Sequence, residues 1–317
     1  MTEILCLSGD DITPLLTMDV AIAAVKEAYV LHATGGGRLL PLVRERLAED
    51  ATFGIKTGFI PSQGVLGLKA GGSWKANKKR GDEAHQATVV LLDPASGRPR
   101  AFLDGNPITT LRTGAAGAVG AELFASPDAR VLAVIGTGVQ GRIQTEAALH
   151  VRPGIQEVRC FNPHGPVAEA FLTTVVGRAD LVVCDGVAEA VRGADVVATC
   201  TPSTEPLVLL RHLEEGAHVN AMGSDTRGKR ELEPAVLGAA QVFVDDVAQS
   251  RSIGELQGLE DVEPTLVGDV LRGAHPGRQG SGITVFDSSG ISLQDLTAAR
   301  VVVEMARERG LGTTLTW

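Results

Sequence analysis

The chain has 317 residues, 44% of them hydrophobic and 21% charged, enough apolar material for about two globular domains. Its formal net charge of −9 argues against nucleic acid as a partner, while a local cluster of cations can still serve a small anionic substrate. No apolar run approaches the ~18 residues of a membrane span, and the acidic N-terminus lacks the basic flank and apolar core of a signal peptide. The four scattered cysteines, Cys6, Cys160, Cys184 and Cys200, read as buried hydrophobes of a reducing cytoplasm and not as a disulfide set or a metal site.

In chain order, residues 13–33 read as an amphipathic helix, with Val20, Ala23, Ala24, Ala28 and Val30 at helical spacing, broken by Gly35 to Gly37. Residues 39–47 and 52–60 read as an antiparallel hairpin turning near Glu49 and Asp50, and residues 65–71 as a third strand. The charged stretch 75–83 reads as a surface loop whose basic run is a solvated face. Residues 88–93 and 99–104 form another hairpin around Pro94 to Gly97. The first hundred residues are therefore a helix with antiparallel strands. From Leu111 the texture changes to a helix over 112–124, then strands at 131–135, 158–161, 181–184, 196–200, 218–221 and 242–245 with helical connections, the pattern of a doubly wound parallel sheet. A last helix over 293–309 stops at Gly310 and returns to the N-terminal domain.

The stretch RVLAVIGTGVQGRIQTEAAL organises the second half. Five apolar residues, 131–135, run into Gly136, Gly138 and Gly141, a GxGxxG that opens a helix. In a dinucleotide site Gly136 makes the tight turn, Gly138 lets the backbone approach a pyrophosphate and Gly141 lets helix and strand pack closely. Thr137, Val139 and Gln140 then lie on the same turn, at the helix N-terminus where the dipole favours an anion. The plain alternative is an ordinary glycine-rich βα turn. At the end of the following strand, where NAD sites usually offer an acid and NADP sites an arginine, the chain has Asn162. Asn162 can bond a free hydroxyl and His164 can meet a phosphate, which leaves the choice of NAD or NADP open.

Several cations sit in structural elements. Arg44 and Arg46 share a strand face, Lys56 is on the next strand, Lys69 lies inside VLGLKAG, and Arg112 stands at the domain junction. A buried cation either pairs, snorkels or serves a site, and several together favour a carboxylate pocket. Thr201, Pro202 and Ser203 follow a strand where a nicotinamide usually borders, and AMGSDTRGKRE places Met222 and Asp225 after another strand. Asp225 faces reacting atoms on one reading and is a turn or cap aspartate on the other.

With these residues collected, the chain resembles the ornithine cyclodeaminase/mu-crystallin family through LGLKAG, TTLRTGAAGA, GTGVQG, ATCTPS, AMGSDTRGKREL and ITVFDSSGISLQDL. The resemblance implies an α/β chain: a Rossmann dinucleotide-binding domain, residues 113–292, inserted into an α+β substrate-binding and dimerisation domain, residues 1–112 plus 293–317. It implies that Arg44 (or Arg46), Lys69 and Arg112 hold the substrate α-carboxylate, and that Asp225, with Lys69, acts at the substrate nitrogen. It also places Thr88, Arg112, Thr113, Lys229 and Ser288 against the cofactor. FGIKTGF, LGLKAGGSW, CFNPHG and DDVAQSRSIGE are similar to the branch that reduces iminosuccinate to aspartate, which implies NAD and gives Lys56 to the second carboxylate. Cyclodeaminases carry a carboxylate on the second hairpin strand, and this chain has Gly54 and Lys56 there, which argues against ornithine cyclisation. The alternatives are a pyrroline-2-carboxylate reductase, an alanine dehydrogenase, a cyclodeaminase, and a mu-crystallin-like small-molecule binder without catalysis. A homodimer acting on a small imino or amino acid, with neither nucleic acid nor membrane as partner, is the expectation.

Overall fold

The computed structural model describes residues 3–316. Residues 1, 2 and 317 of the expected outer domain, and the side chain of Lys78 in the basic run, lie outside the described residues. The chain divides into two compact units, Met1–Arg112 with Ile291–Trp317, and Thr113–Gly290. The second crossing lies two residues ahead of the junction expected from the sequence, because Ile291 is the N-cap of the last helix.

The first unit is built on β1 (Glu3–Leu7), β2 (Arg38–Leu39), β3 (Val43–Ala48), β4 (Ala51–Ile60), β5 (Val65–Trp74), β6 (His85–Leu92) and β7 (Pro99–Asp104), joined by the final strand Thr313–Thr316. Neighbours from β2 through β7 are antiparallel, but β1 runs parallel to β7, which corrects the all-antiparallel expectation. Other boundaries move for local reasons. Thr17 caps the helix Met18–Ala33 through the Val20 N–H, so it begins five residues late, after a one-turn helix Gly9–Ile12. Pro41 lies in the break that divides the expected strand 39–47 into β2 and β3. β5 continues to Trp74 because its pairing with β4 continues to Ala51, and the charged segment after it contains a short 3₁₀ helix, Lys75–Arg80. The helix expected at 112–124 starts at Gly105.

One face of this sheet carries the helix Ser292–Arg309, and the helix Met18–Ala33 packs on that helix, the Thr297 hydroxyl donating to the Ala24 carbonyl at 2.9 Å. Val89, Leu91, Ala101 and Leu103 are buried on that face. By strand alternation, Phe53, Ile55, Phe59, Leu66, Leu68 and Val90 lie on the other and are only half-buried.

The second unit is a parallel sheet of β8 (Val131–Ile135), β9 (Glu157–Phe161), β10 (Asp180–Val183), β11 (Val196–Thr199), β12 (His218–Ala221), β13 (Gln241–Val244), β14 (Thr265–Leu266) and β15 (Thr284–Asp287). The spatial order is β10-β9-β8-β11-β12-β15-β13-β14. β14 and β15 escaped the sequence reading. Ala133 and Ile135 pack into one core while Leu132 and Val134 pack into another, so the sheet is covered on both faces. The fold class is α/β with a Rossmann-type sheet inserted between the two chain segments of an α+β unit. Among the described residues no helix is long and apolar enough to cross a membrane.

Candidate active site

Lys69, in the middle of β5, is the direct cross-strand partner of Lys56 on β4. Like charges opposite each other on one sheet face repel, so the arrangement calls for anions. One comes from the helix Ser292–Arg309. Asp295 Oδ1 accepts from Lys69 Nζ at 2.7 Å and lies 3.0 Å from Arg112 Nε. The helix sits this close because Gly67 has no side chain; a Cβ there would stand 2.7 Å from Leu296 Cδ2. Arg112 Nη1 also donates to Gln294 Oε1 at 3.3 Å, and Gln294 Nε2 donates to the Tyr29 hydroxyl at 2.7 Å, a buried polar chain behind the cations. Arg44 reaches the cluster from β3, opposite Gly54, and its charge acts on both lysines. Arg46 is exposed and donates to the Ala48 and Glu49 carbonyls of its own hairpin turn. The structure therefore separates the two arginines that the sequence left as alternatives.

The electrostatics follow from four cations and one carboxylate. Burial, then the charges of Arg112, Lys69 and Arg44, push the Lys56 ammonium down to about 7. Burial and Arg112 bring Lys69 to about 8 against the pull of Asp295. Burial alone would raise the Asp295 carboxyl, but Lys69 and Arg112 overcome it and hold it below its usual range. Such a cluster gains stability from every carboxylate a ligand brings.

In the second unit, Gly136 turns at φ +94°, and a Cβ there would stand 2.7 Å from the Cys200 carbonyl oxygen. Gly141 is more tightly enclosed, since its Cβ would stand 1.9 Å from the Gly136 carbonyl oxygen. Gly138 faces open space and is the N-cap of the helix Val139–Val151, with no side chain capping it. The first-turn N–H groups are thus available to an anion at the positive end of the helix. Thr137 Oγ1 and Gln140 Oε1, both buried, have no hydrogen-bond partner among the described residues, adding polar atoms on the same turn. The chain leaves β8 toward β9 and β10, then returns to β11 on the other side of β8. That reversal is where open α/β sheets bind ligands. These features fit a dinucleotide pyrophosphate.

With this geometry in hand, comparison with known proteins is decisive: the model of the ornithine cyclodeaminase/mu-crystallin family matches residues 3–310. The chain belongs to that family. It is 39% identical to the iminosuccinate reductase of Paracoccus denitrificans over 97% of this chain and 98% of that one. The structure of that reductase in complex with NAD+ superposes with a TM-score of 0.91 at 37% identity, covering 99% of this chain and 100% of that one. The chain is also 34% identical to an alanine dehydrogenase of Archaeoglobus fulgidus, over 99% of this chain and 98% of that one. An archaeal alanine dehydrogenase dimer with bound NAD gives a TM-score of 0.92 at 34% identity, with all of both chains covered.

In this member of the ornithine cyclodeaminase/mu-crystallin family, Asp225 lies in the turn after β12, where its Oδ1 accepts from Lys229 Nζ at 2.7 Å. Met222, Thr113 and Ser288 are buried. The Thr113 carbonyl accepts from Gln144 at 2.7 Å, and the Ser288 hydroxyl donates to Asp245 at 3.0 Å. Pro202 is exposed, and the neighbouring Ser203 hydroxyl donates to the Glu205 carbonyl at 2.6 Å. Asn162 follows β9 and donates to the Pro166 carbonyl at 3.2 Å, and His164 is exposed. Thr88 pairs with Ala70, so alternation puts it on the sheet face opposite Lys69, and it does not join the cations. Sequence reasoning missed Asp295 and Gln294. Their signal was available: two polar residues between Leu293 and Leu296, on the buried side of a helix. It also missed Glu231, which closes the stretch AMGSDTRGKRE and was given no role, although it is fully buried.

Proposed function

We propose that this protein reduces an α-imino acid to an L-amino acid with NADH, and that its substrate is iminosuccinate, giving L-aspartate. The observation that carries the substrate is Lys56 opposite Lys69. Four cations less Asp295 leave three formal positive charges, of which a monocarboxylate neutralises one and a dicarboxylate two. In this reading Arg44, Lys69 and Arg112 hold the α-carboxylate through charge-assisted hydrogen bonds, and Lys56 holds the second carboxylate. Bound NADH supplies hydride for the imine carbon. Asp225 acts at the substrate nitrogen, and Lys69, with its ammonium fixed by Asp295, steadies or delivers the proton there. The turn from Gly136 to Gln140 would hold the pyrophosphate of the cofactor, Thr201, Pro202, Ser203 and Met222 would serve its nicotinamide, and Asn162 its ribose. The NAD bound by the Paracoccus denitrificans and archaeal relatives supports NAD over NADP.

The half-buried apolar face of the first sheet supports a homodimer, as in the archaeal alanine dehydrogenase, because a second copy would cover Phe53, Ile55, Leu66 and their neighbours. The deciding experiment follows NADH and NADPH oxidation in parallel with oxaloacetate, pyruvate or glyoxylate plus ammonia, and with pyrroline-2-carboxylate. Fastest turnover is expected for NADH with oxaloacetate plus ammonia. Higher kcat/KM with pyruvate plus ammonia, or with pyrroline-2-carboxylate, overturns the substrate assignment.

A further inference from the structure

Glu231 is completely buried, and its carboxylate is surrounded by donors from two loops. Oε1 accepts from the Thr201 N–H at 2.6 Å and the Thr201 hydroxyl at 2.7 Å. Oε2 accepts from the Thr199 hydroxyl and the Gly223 N–H, both at 2.8 Å. Thr199 and Thr201 belong to the exit from β11, and Gly223 to the exit from β12. The glutamate is itself anchored from behind. Its N–H donates to Glu255 Oε1 at 2.8 Å, its carbonyl accepts from Leu207 and Val208, and the Glu255 N–H donates to Asp287 at 2.9 Å.

We infer that Glu231 is the positioning residue of the cofactor half: its carboxylate ties the loop leaving β11 to the loop leaving β12, and so holds Thr201 and the Gly223–Asp225 turn in register. The inference rests on the proposed reading that these loops serve NAD and the substrate nitrogen. It goes beyond that reading by assigning their geometry to a residue that need touch neither ligand.

The donor set explains why the residue must be a carboxylate. Each of its two oxygens faces a backbone N–H that cannot reverse its polarity, Thr201 on one side and Gly223 on the other. A glutamine in either orientation would set its own N–H against one of them, leaving buried donors unsatisfied. A protonated glutamate has a milder form of the same fault, since its proton must find an oxygen by turning a threonine hydroxyl around. The titratable groups facing Glu231 are Glu255 and Cys200, and Glu255 in turn faces Arg230 and Asp287. Burial, then Glu255, push Glu231 up to about 7, while burial also raises the Cys200 thiol and Glu255. The clamp is therefore complete above neutrality and loosens as pH falls through 7.

The test measures NADH affinity of the full-length protein across this pH range by the fluorescence of the bound cofactor. Wild type should bind progressively more weakly below pH 7. Glu231→Gln should bind about tenfold or more weakly well above pH 7, where the wild-type clamp is complete, the scale of one lost hydrogen bond to a charged group, and should lose the acid limb. Thr199→Val removes one donor from the carboxylate while leaving both backbone contacts. It should keep its affinity at high pH and move the acid limb upward, because a carboxylate with fewer donors holds its proton more tightly. Should Glu231→Gln fail to fold, the Thr199→Val limb decides: a shift supports the clamp and an unmoved limb overturns it. NADH affinity within twofold of wild type in folded Glu231→Gln, or an acid limb persisting there, overturns the inference alone. A wild-type protein that binds neither NADH nor NADPH overturns the functional reading and this inference with it.

Discussion

Replacing Lys56 with methionine separates the two carboxylates of the proposed substrate. Lys56 and Lys69 face each other across β4 and β5, and side chains so paired start ~5 Å apart. With an effective dielectric of ~20–80, the repulsion between two such charges is about 1–3 kcal/mol. Near neutrality Lys56 is about half protonated, so only part of that repulsion is felt in the free protein. Lys56→Met should therefore raise Tm slightly. With a dicarboxylate bound, the lysine becomes fully charged and makes a charged hydrogen bond worth about 1.5–3 kcal/mol, or ~10- to 150-fold in kcat/KM. The variant should lose that factor with oxaloacetate plus ammonia and lose little, or gain, with pyruvate plus ammonia. A pH signature accompanies it. Lys56 sits at about 7 in the free protein, and a bound dianion raises it, so above 7 the complex holds more protons than the free protein. Affinity for succinate or L-aspartate, measured by calorimetry with saturating NAD+, should therefore fall as pH rises past 7. In Lys56→Met the fall should begin nearer 8, where Lys69 titrates. Equal losses on both substrates would refute the assignment and make Lys56 a general structural cation. An unchanged variant would make it a solvated strand residue.

Arg112→Leu should fold, because Asp295 keeps Lys69 as a partner, but should lose on the order of 2–5 kcal/mol of transition-state stabilisation; near-normal kcat/KM would remove Arg112 from the site. Asp225→Asn should retain NADH binding while turnover drops by roughly 10²–10⁴, the scale of general acid–base catalysis. Loss of NADH binding with an intact single-turnover rate would make Asp225 a turn residue that serves through Lys229. Gly141→Ala forces a Cβ to within 1.9 Å of the Gly136 carbonyl, so NADH binding should fall more than tenfold with a lowered Tm; titrating folded variant with NADH checks it, and unchanged affinity would show that the turn yields freely.

The sequence by itself was enough for whatever is local or periodic. Apolar residues 131–135 running into GTGVQG determine a buried strand, a tight turn and an uncapped helix, because their geometry requires only neighbours in the chain. The family motifs, spread in order along the chain, extended this to a Rossmann-type sheet between two segments of a second unit. Local pattern also gave Lys56 and Lys69 as strand residues, but not their pairing. Their register is set by the turn 61–64 that joins β4 to β5, with Ile60 opposite Val65, so only the folded hairpin sets the lysines opposite each other. Tertiary structure likewise sets Arg44 and Arg46 apart, since the charge of one acts on the lysines and the other bonds its own turn. Asp295 lies 226 residues from Lys69, and Glu231 lies 30 residues from Thr201. In sequence each carboxylate is an ordinary acid in an ordinary helix or turn. Packing excludes water from both, and what else the fold brings decides the outcome: Lys69 and Arg112 hold Asp295 below its usual range, whereas burial and Glu255 push Glu231 up despite its donors, a balance that is a property of the folded molecule alone.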